Sequence, residues 1–172
     1  MPSRVVKVAF RRLLAFGIDW CVLAAYAGLL FLFVTPFVSP LFKQSPYLAE
    51  LTGFFLLTLP MTLYFSVMEA SSWSGTLGKR LLRLRVIPRG GKRKVSYLRS
   101  LLRSSLKLLP WELAHFAVWN VFVFEDSAAG GIGIVALVLA YGLIFTYWVS
   151  LFVRDGRTPY DHFAGVIVQL AQ

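Results

Sequence analysis

The sequence predicts an all-α membrane protein with four transmembrane helices, a small cytoplasmic β-sheet and an amphipathic interfacial helix. Three observations predict it. Four apolar stretches, 13–35, 51–68, 110–124 and 132–153, contain no Lys or Arg, and runs of ~18 or more such residues suit a bilayer. The chain is 58% hydrophobic and 16% aromatic, above the ~45–50% apolar share usual in soluble domains. Seventeen of its 18 Lys and Arg residues precede the first stretch, lie between the second and third, or follow the fourth. The link after the first stretch has only Lys43 and the link after the third has none. That asymmetry orients four spans with both termini cytoplasmic in the cell membrane. Residues 1–172 read as a single membrane domain.

The first helix is expected from near Val5 to about Thr35, where Pro36 and Pro40 end it. A basic start before an apolar run resembles a signal peptide, but the run is too long and no small-residue cleavage site follows, so the helix reads as retained. The second helix runs inward from about 46–48 to Glu69. Pro60 predicts a kink there, with Thr58 and Thr62 placed to satisfy the freed backbone groups. In the basic segment 71–107, Leu82, Leu84 and Val86 alternate with Arg83, Arg85 and Ile87, the two-residue period of a strand. Gly90-Gly91 predicts a tight turn back into a second strand, a hairpin over 82–97. Two strands alone are marginal, so the β-branched run at 166–170 is read as a third.

From Tyr97, Arg99, Arg103 and Lys107 recur every fourth residue as one basic stripe, with Leu101, Leu102, Leu106, Leu108 and Leu109 on other sides. That pattern predicts an interfacial helix over 97–109, bent at Pro110 into a short third span. In the fourth stretch Gly142, Thr146 and Ser150 are small residues suited to close packing. No internal repeat is visible, so the inverted repeats of many transporters are missing.

The formal charge of +10 would suggest nucleic acid in a soluble protein. Here it is topological and faces anionic lipid headgroups, and no nucleic-acid partner is expected. Headgroup candidates are Arg83, Arg85, Arg89, Lys92, Arg93, Lys94, Arg99 and Lys107. Cys21 is the only cysteine, so no internal disulfide forms. The segment 74–80 is similar to a phosphate loop, but Trp73 holds the first glycine position and Arg80 replaces Ser/Thr. Gly75 and Gly78 read instead as permitting a tight turn. Glu112 and His115 supply two metal ligands where a site needs three or four, so neither metal nor cofactor is expected. No nucleophile elbow is present, and enzyme activity is not expected.

Asp19 lies inside the first apolar stretch, seven residues or ~10 Å of helix past Arg12. An ionisable group there is costly unless paired or hydrated. The four-span topology brings Arg12, Asp19, Glu69, Arg103, Glu112, His115 and Asp161 to the inner third of the bilayer or near it. Two readings stay open. In one, Arg–Asp pairs tie helix ends to the cytoplasmic sheet, with Arg12, Arg103 and Arg157 as partners. In the other, Asp19, Glu69, Glu112, His115 and Asp161 form an ion or proton pathway.

Three blocks of the sequence resemble the RDD family of bacterial multi-pass membrane proteins, named for one Arg and two Asp. Arg12-Leu13-Leu14-Ala15-Phe16-Gly17-Ile18-Asp19 is similar to the family's Arg-x-x-Ala-x-x-x-Asp. Gly75-Thr76-Leu77-Gly78-Lys79-Arg80 resembles its Thr-x-Gly-Lys segment, with a strand following. Arg157-Thr158-Pro159-Tyr160-Asp161, then Ala164-Gly165, looks like its closing block with the second Asp. Pro159 and Val166 depart from the usual residues. The resemblance implies a multi-pass membrane protein, and some members are linked to cation–proton antiport. The leading expectation is therefore transport by cation/proton exchange through the acidic cluster. The competing one is a non-enzymatic scaffold or accessory factor that binds anionic lipid or a protein partner through its basic cytoplasmic face. A four-span chain is small for a complete path, so exchange implies a homo-oligomer or a partner membrane protein.

Overall fold

The structure, a computed structural model, describes residues 2–91, 94–124, 129–153 and 155–171, with side chains from Val5 onward. Lys92 and Arg93, named above as headgroup candidates, lie outside the described residues. The fold is mostly helical. Helix α1 (Pro2–Phe33) is followed by two short turns, α2 (Thr35–Val38) and α3 (Leu41–Gln44), which begin around the two prolines that end α1. Ser45 then caps α4 (Pro46–Gly53): its hydroxyl accepts the Leu48 N–H, and Pro46 sits at the first helical position, where no N–H is needed. A π-helical turn, Phe54–Thr58, leads into α5 (Leu59–Ala70). Next come α6 (Leu77–Leu81), strand β1 (Leu84–Pro88) and α7 (Tyr97–Ala117), the last ending in a π-helical turn, Val118–Val123. The chain closes with α8 (Gly130–Phe152), α9 (Pro159–Phe163) and strand β2 (Val166–Leu170).

Among the described residues three helices are long and apolar enough to cross a membrane: Val5–Phe33, Pro46–Ala70 and Gly130–Ser150. Helix α7, expected to lead into the third span, is one continuous helix that carries Arg99, Arg103 and Lys107 in its first half. Its polarity is inverted relative to a headgroup-facing helix. Ser100, Arg103 and Ser104 are buried, while Leu98, Leu102 and Leu109 are exposed. The expected basic stripe is therefore split, with only Arg99 facing outward.

Both helix-interior prolines are compensated by a tyrosine. Pro60 has no N–H for the carbonyl of Leu56, and the Tyr26 hydroxyl donates to that oxygen at 2.8 Å. The π-helical turn ahead of Pro60 widens the ladder there, with Leu59 N–H bonded to Phe54 O. Pro110 likewise leaves the carbonyl of Leu106, and Tyr147 donates to it at 2.8 Å. Thr58, expected to serve the backbone near Pro60, donates to Glu112.

The sheet has two strands. β1 pairs antiparallel with β2 in the register Leu84↔Leu170 to Pro88↔Val166. The expected hairpin over 82–97 is not formed, since residues 94–96 are not a strand. Ser96 already accepts the Ser100 N–H at the start of α7, which leaves too little chain to return along β1. Val95 instead buries its side chain in a small core with Val86, Ala164 and Val166.

The chain divides into two compact units. The first comprises Met1–Leu23, Thr62–Lys107 and Thr146–Gln172 and holds the sheet. The second comprises Ala24–Met61 and Leu108–Phe145. In the second, α8 turns Gly133, Ala136 and Ala140 inward, three small residues on one helical face. A Cβ on Gly133 would stand 2.7 Å from Val121 Cγ2. Close packing thus falls at Gly133, whereas Gly142, expected in that role, is exposed.

Candidate functional site

The first unit gathers a buried network of three acids and three bases from five elements. Asp19 comes from α1, Glu69 from α5, Lys79 from α6, Arg103 from α7 and Asp161 from α9, with Arg12 also on α1. All six are buried, and Glu69 and Asp161 are 0% exposed. Arg103 is the hub. Its Nη1 reaches both Glu69 oxygens, at 2.5 and 2.6 Å, and its Nε donates to Asp161 Oδ1 at 2.8 Å. Arg12 Nη2 takes the other Asp161 oxygen at 2.6 Å, and its Nη1 donates to the Gly156 carbonyl at 2.7 Å. Lys79 Nζ completes Glu69 by pairing with Oε1.

Among the described residues Asp19 pairs with no arginine. Its Oδ1 accepts the Gly78 N–H at 2.9 Å and the Tyr64 hydroxyl at 3.3 Å, and its Oδ2 accepts the Thr76 hydroxyl at 2.6 Å. Thr76 is the N-cap of α6, so the carboxylate sits at the unsatisfied amides that open this short helix. Gly78 is needed for space. A Cβ there would run into the Ala15 carbonyl of α1. The left-handed turn positions around this segment are Ser74 (φ 51°) and Arg83 (φ 54°), so the expectation that Gly75 and Gly78 serve the turn is corrected.

Asp161 is placed by its own local sequence. Thr158 caps α9, Pro159 fills the first helical position, and Asp161 accepts the Thr158 N–H at 3.3 Å. Pro159, a departure from the family pattern, thus fits where its missing N–H is harmless. Burial alone would raise the Asp161 carboxyl, but Arg12 and Arg103 outweigh it and hold it below the usual carboxylate range. Burial pulls the Lys79 ammonium below its ordinary value, opposed by the adjacent Glu69.

The other expected site residues fall elsewhere. Arg157 is buried and pairs with Asp155 at 3.6 Å. Glu112 and His115 belong to the second unit, where Glu112 accepts from Thr58 and His115 meets Trp111 edge to face at 4.5 Å. Lys107, expected at the headgroups, places its ammonium 3.4 Å from the Phe65 ring centroid and 5.2 Å from that of Phe16. Arg83, Arg85, Arg89, Lys94 and Arg99 are exposed, and among the described residues none forms an ion pair.

Lys79, Thr76, Tyr64 and Gly78 were not singled out as partners of the acids. The usable signal was the Thr76-Leu77-Gly78-Lys79 run, an N-cap followed by a base one turn later. Comparison with curated proteins and with solved structures finds no match. The profile of the RDD family matches residues 6–165, a stretch that contains every member of the buried network, and the chain belongs to the RDD family.

Proposed function

We propose that this RDD-family protein spans the membrane four times and acts as a non-enzymatic membrane factor. In this reading the buried network is a structural lock, and the exposed bases from Arg83 to Arg99 engage anionic lipid headgroups. One observation carries it: all six carboxylate oxygens of Asp19, Glu69 and Asp161 accept hydrogen bonds from the protein's own donors. A passing ion would have to displace those donors, and breaking a buried pair costs about 3–5 kcal/mol. The span at 110–124, third in chain order, rests on α7, whose outward face carries Leu98, Leu102 and Leu109 and whose polar face turns into the protein. Cytoplasmic termini rest on the distribution of the bases.

The second reading is cation/proton exchange, favoured by the second unit, where Thr58 donates to Glu112 on α7. Proteoliposomes loaded with a pH-sensitive dye separate the two. The lock reading expects Na⁺, Li⁺ and K⁺ to leave an imposed pH gradient intact. It also expects native mass spectrometry to show phosphatidylglycerol retained over phosphatidylcholine, with that preference lost in an Arg83→Gln/Arg85→Gln/Arg89→Gln variant. Cation-driven proton flux that disappears in Asp19→Asn, with the protein still in the membrane, would overturn it.

A further inference from the structure

We propose that α6 and the turn before it form an anchor in the plane of the membrane, seated at the boundary between acyl chains and anionic headgroups of the inner leaflet. The inference rests on the reading of the chain as membrane-spanning. Trp73, Leu77 and Leu81, four residues apart, are 41%, 36% and 63% exposed. Three large apolar side chains on one short segment are a poor fit to water, and they are rimmed by charge. The Arg80 guanidinium lies 4.1 Å from the Trp73 ring centroid, Arg83 is exposed, and Arg11 ties the end of the segment by donating to the Leu82 carbonyl at 3.1 Å. Exposed aromatic and aliphatic groups with arginines beside them are the composition of an interfacial segment.

The depth of the segment follows from what holds it. Gly78 packs on the Ala15 carbonyl and bonds to Asp19, both inside the apolar helix Val5–Phe33. Residues 15–33 of α1 rise roughly 28 Å, close to the ~30 Å hydrocarbon thickness. With that stretch filling the bilayer, Ala15 marks the inner edge of the hydrocarbon, and α6 is pinned at that edge. On α1 itself Leu14, the neighbour of Ala15, is 61% exposed. Lipid covers these side chains at the same edge, and the arginines meet phosphate. Asp19 then acts as the fastening of a lipid anchor, which gives a buried acid inside a span a use that needs no moving ion.

The test uses the full chain with Cys21→Ser, reconstituted in phosphatidylcholine/phosphatidylglycerol vesicles, and nitroxide labels on Leu77→Cys or Leu81→Cys. Both side chains are exposed, so labelling leaves the packing intact. A free water-soluble nitroxide serves as the aqueous reference and Leu139→Cys on α8 as the lipid reference. Collision with oxygen exceeding collision with a water-soluble nickel chelate at both sites, at a depth of ~5–10 Å, is the expected result. Nickel exceeding oxygen at 77 and 81, with 139 still in lipid, overturns the anchor and leaves the membrane reading standing, as for a face covered by a protein partner. Nickel exceeding oxygen at 139 as well overturns the membrane reading. Arg80→Gln/Arg83→Gln should also abolish the difference in label depth between vesicles with and without phosphatidylglycerol. No such difference in the parent overturns the assignment of the arginines to phosphate.

Discussion

The Asp19 carboxylate accepts the backbone N–H of Gly78 at 2.9 Å, so a residue inside the first apolar helix holds the opening turn of a helix 59 positions away. The bond requires the two backbones to approach closely. Gly→Ala within a helix ordinarily gains up to ~1 kcal/mol. At Gly78 the added Cβ would strike the Ala15 carbonyl and stand 3.1 Å from Asp19 Oδ1, and such overpacking costs ~1–3 kcal/mol. The clash involves backbone, which cannot rotate away. Gly78→Ala is therefore expected to destabilise by about 1–2 kcal/mol, read as a lowered thermal midpoint in detergent. A raised midpoint would show that α6 is not pressed against α1.

Arg103 joins two acids, Glu69 through Nη1 and Asp161 through Nε. Arg103→Met leaves Glu69 with Lys79 alone and Asp161 with Arg12 alone, and this loss of buried partners should cost about 3–5 kcal/mol. Arg103→Lys keeps the charge but offers one compact ammonium to two separated acids, so it should recover only part of that loss. Equal midpoints for Arg103→Lys and the parent would show that the forked geometry is unimportant.

Tyr147 donates to the Leu106 carbonyl, the acceptor that Pro110 leaves open one turn later. Tyr147→Phe should cost about 1–3 kcal/mol, the penalty of an unsatisfied buried acceptor. In a Pro110→Ala background the alanine N–H can take over that carbonyl, and the same Tyr147→Phe change should cost much less. Unfolding midpoints of the four proteins give the coupling directly. Additive losses would show that the tyrosine hydroxyl does not compensate the proline.

The sequence identified the costly groups better than it identified their partners. Asp19, Glu69, Arg103 and Asp161 stood out because a charge at that depth needs compensation. Arg12 and Asp19, however, are about 10 Å apart on one helix, too far for a pair, and their partners come from α9 and α6. Such non-local placement has no period to read. Lys79 was hidden among basic residues whose number already had a topological explanation. The basic stripe of α7 was legible as a stripe, yet amphipathicity alone does not say which side the protein occupies when lipid can cover the other. The second hairpin strand failed for a related reason. Val95 alternates like a strand residue, but β1 is paired by 166–170, the run read from its β-branched residues as a strand of this sheet, and 94–96 form no strand.

The pH response of the lock follows from Asp161. Its carboxyl is held below the usual range because Arg12 and Arg103 outweigh the cost of burial. A group with a depressed folded value stabilises the fold above its unfolded value of ~3.9 and loses that contribution as pH falls through the folded value. Between pH ~5 and ~8 this residue should therefore leave the thermal midpoint flat, and below ~4 the midpoint should fall steadily. Asp161→Asn lacks the titrating group: its midpoint should be lower near neutrality, and the gap to the parent should narrow in acid. A parent whose midpoint already declines between pH 7 and 5, with Asp161→Asn flat over the same interval, would mean that Asp161 takes up a proton near neutrality. That is the behaviour of a carrier, not of a lock.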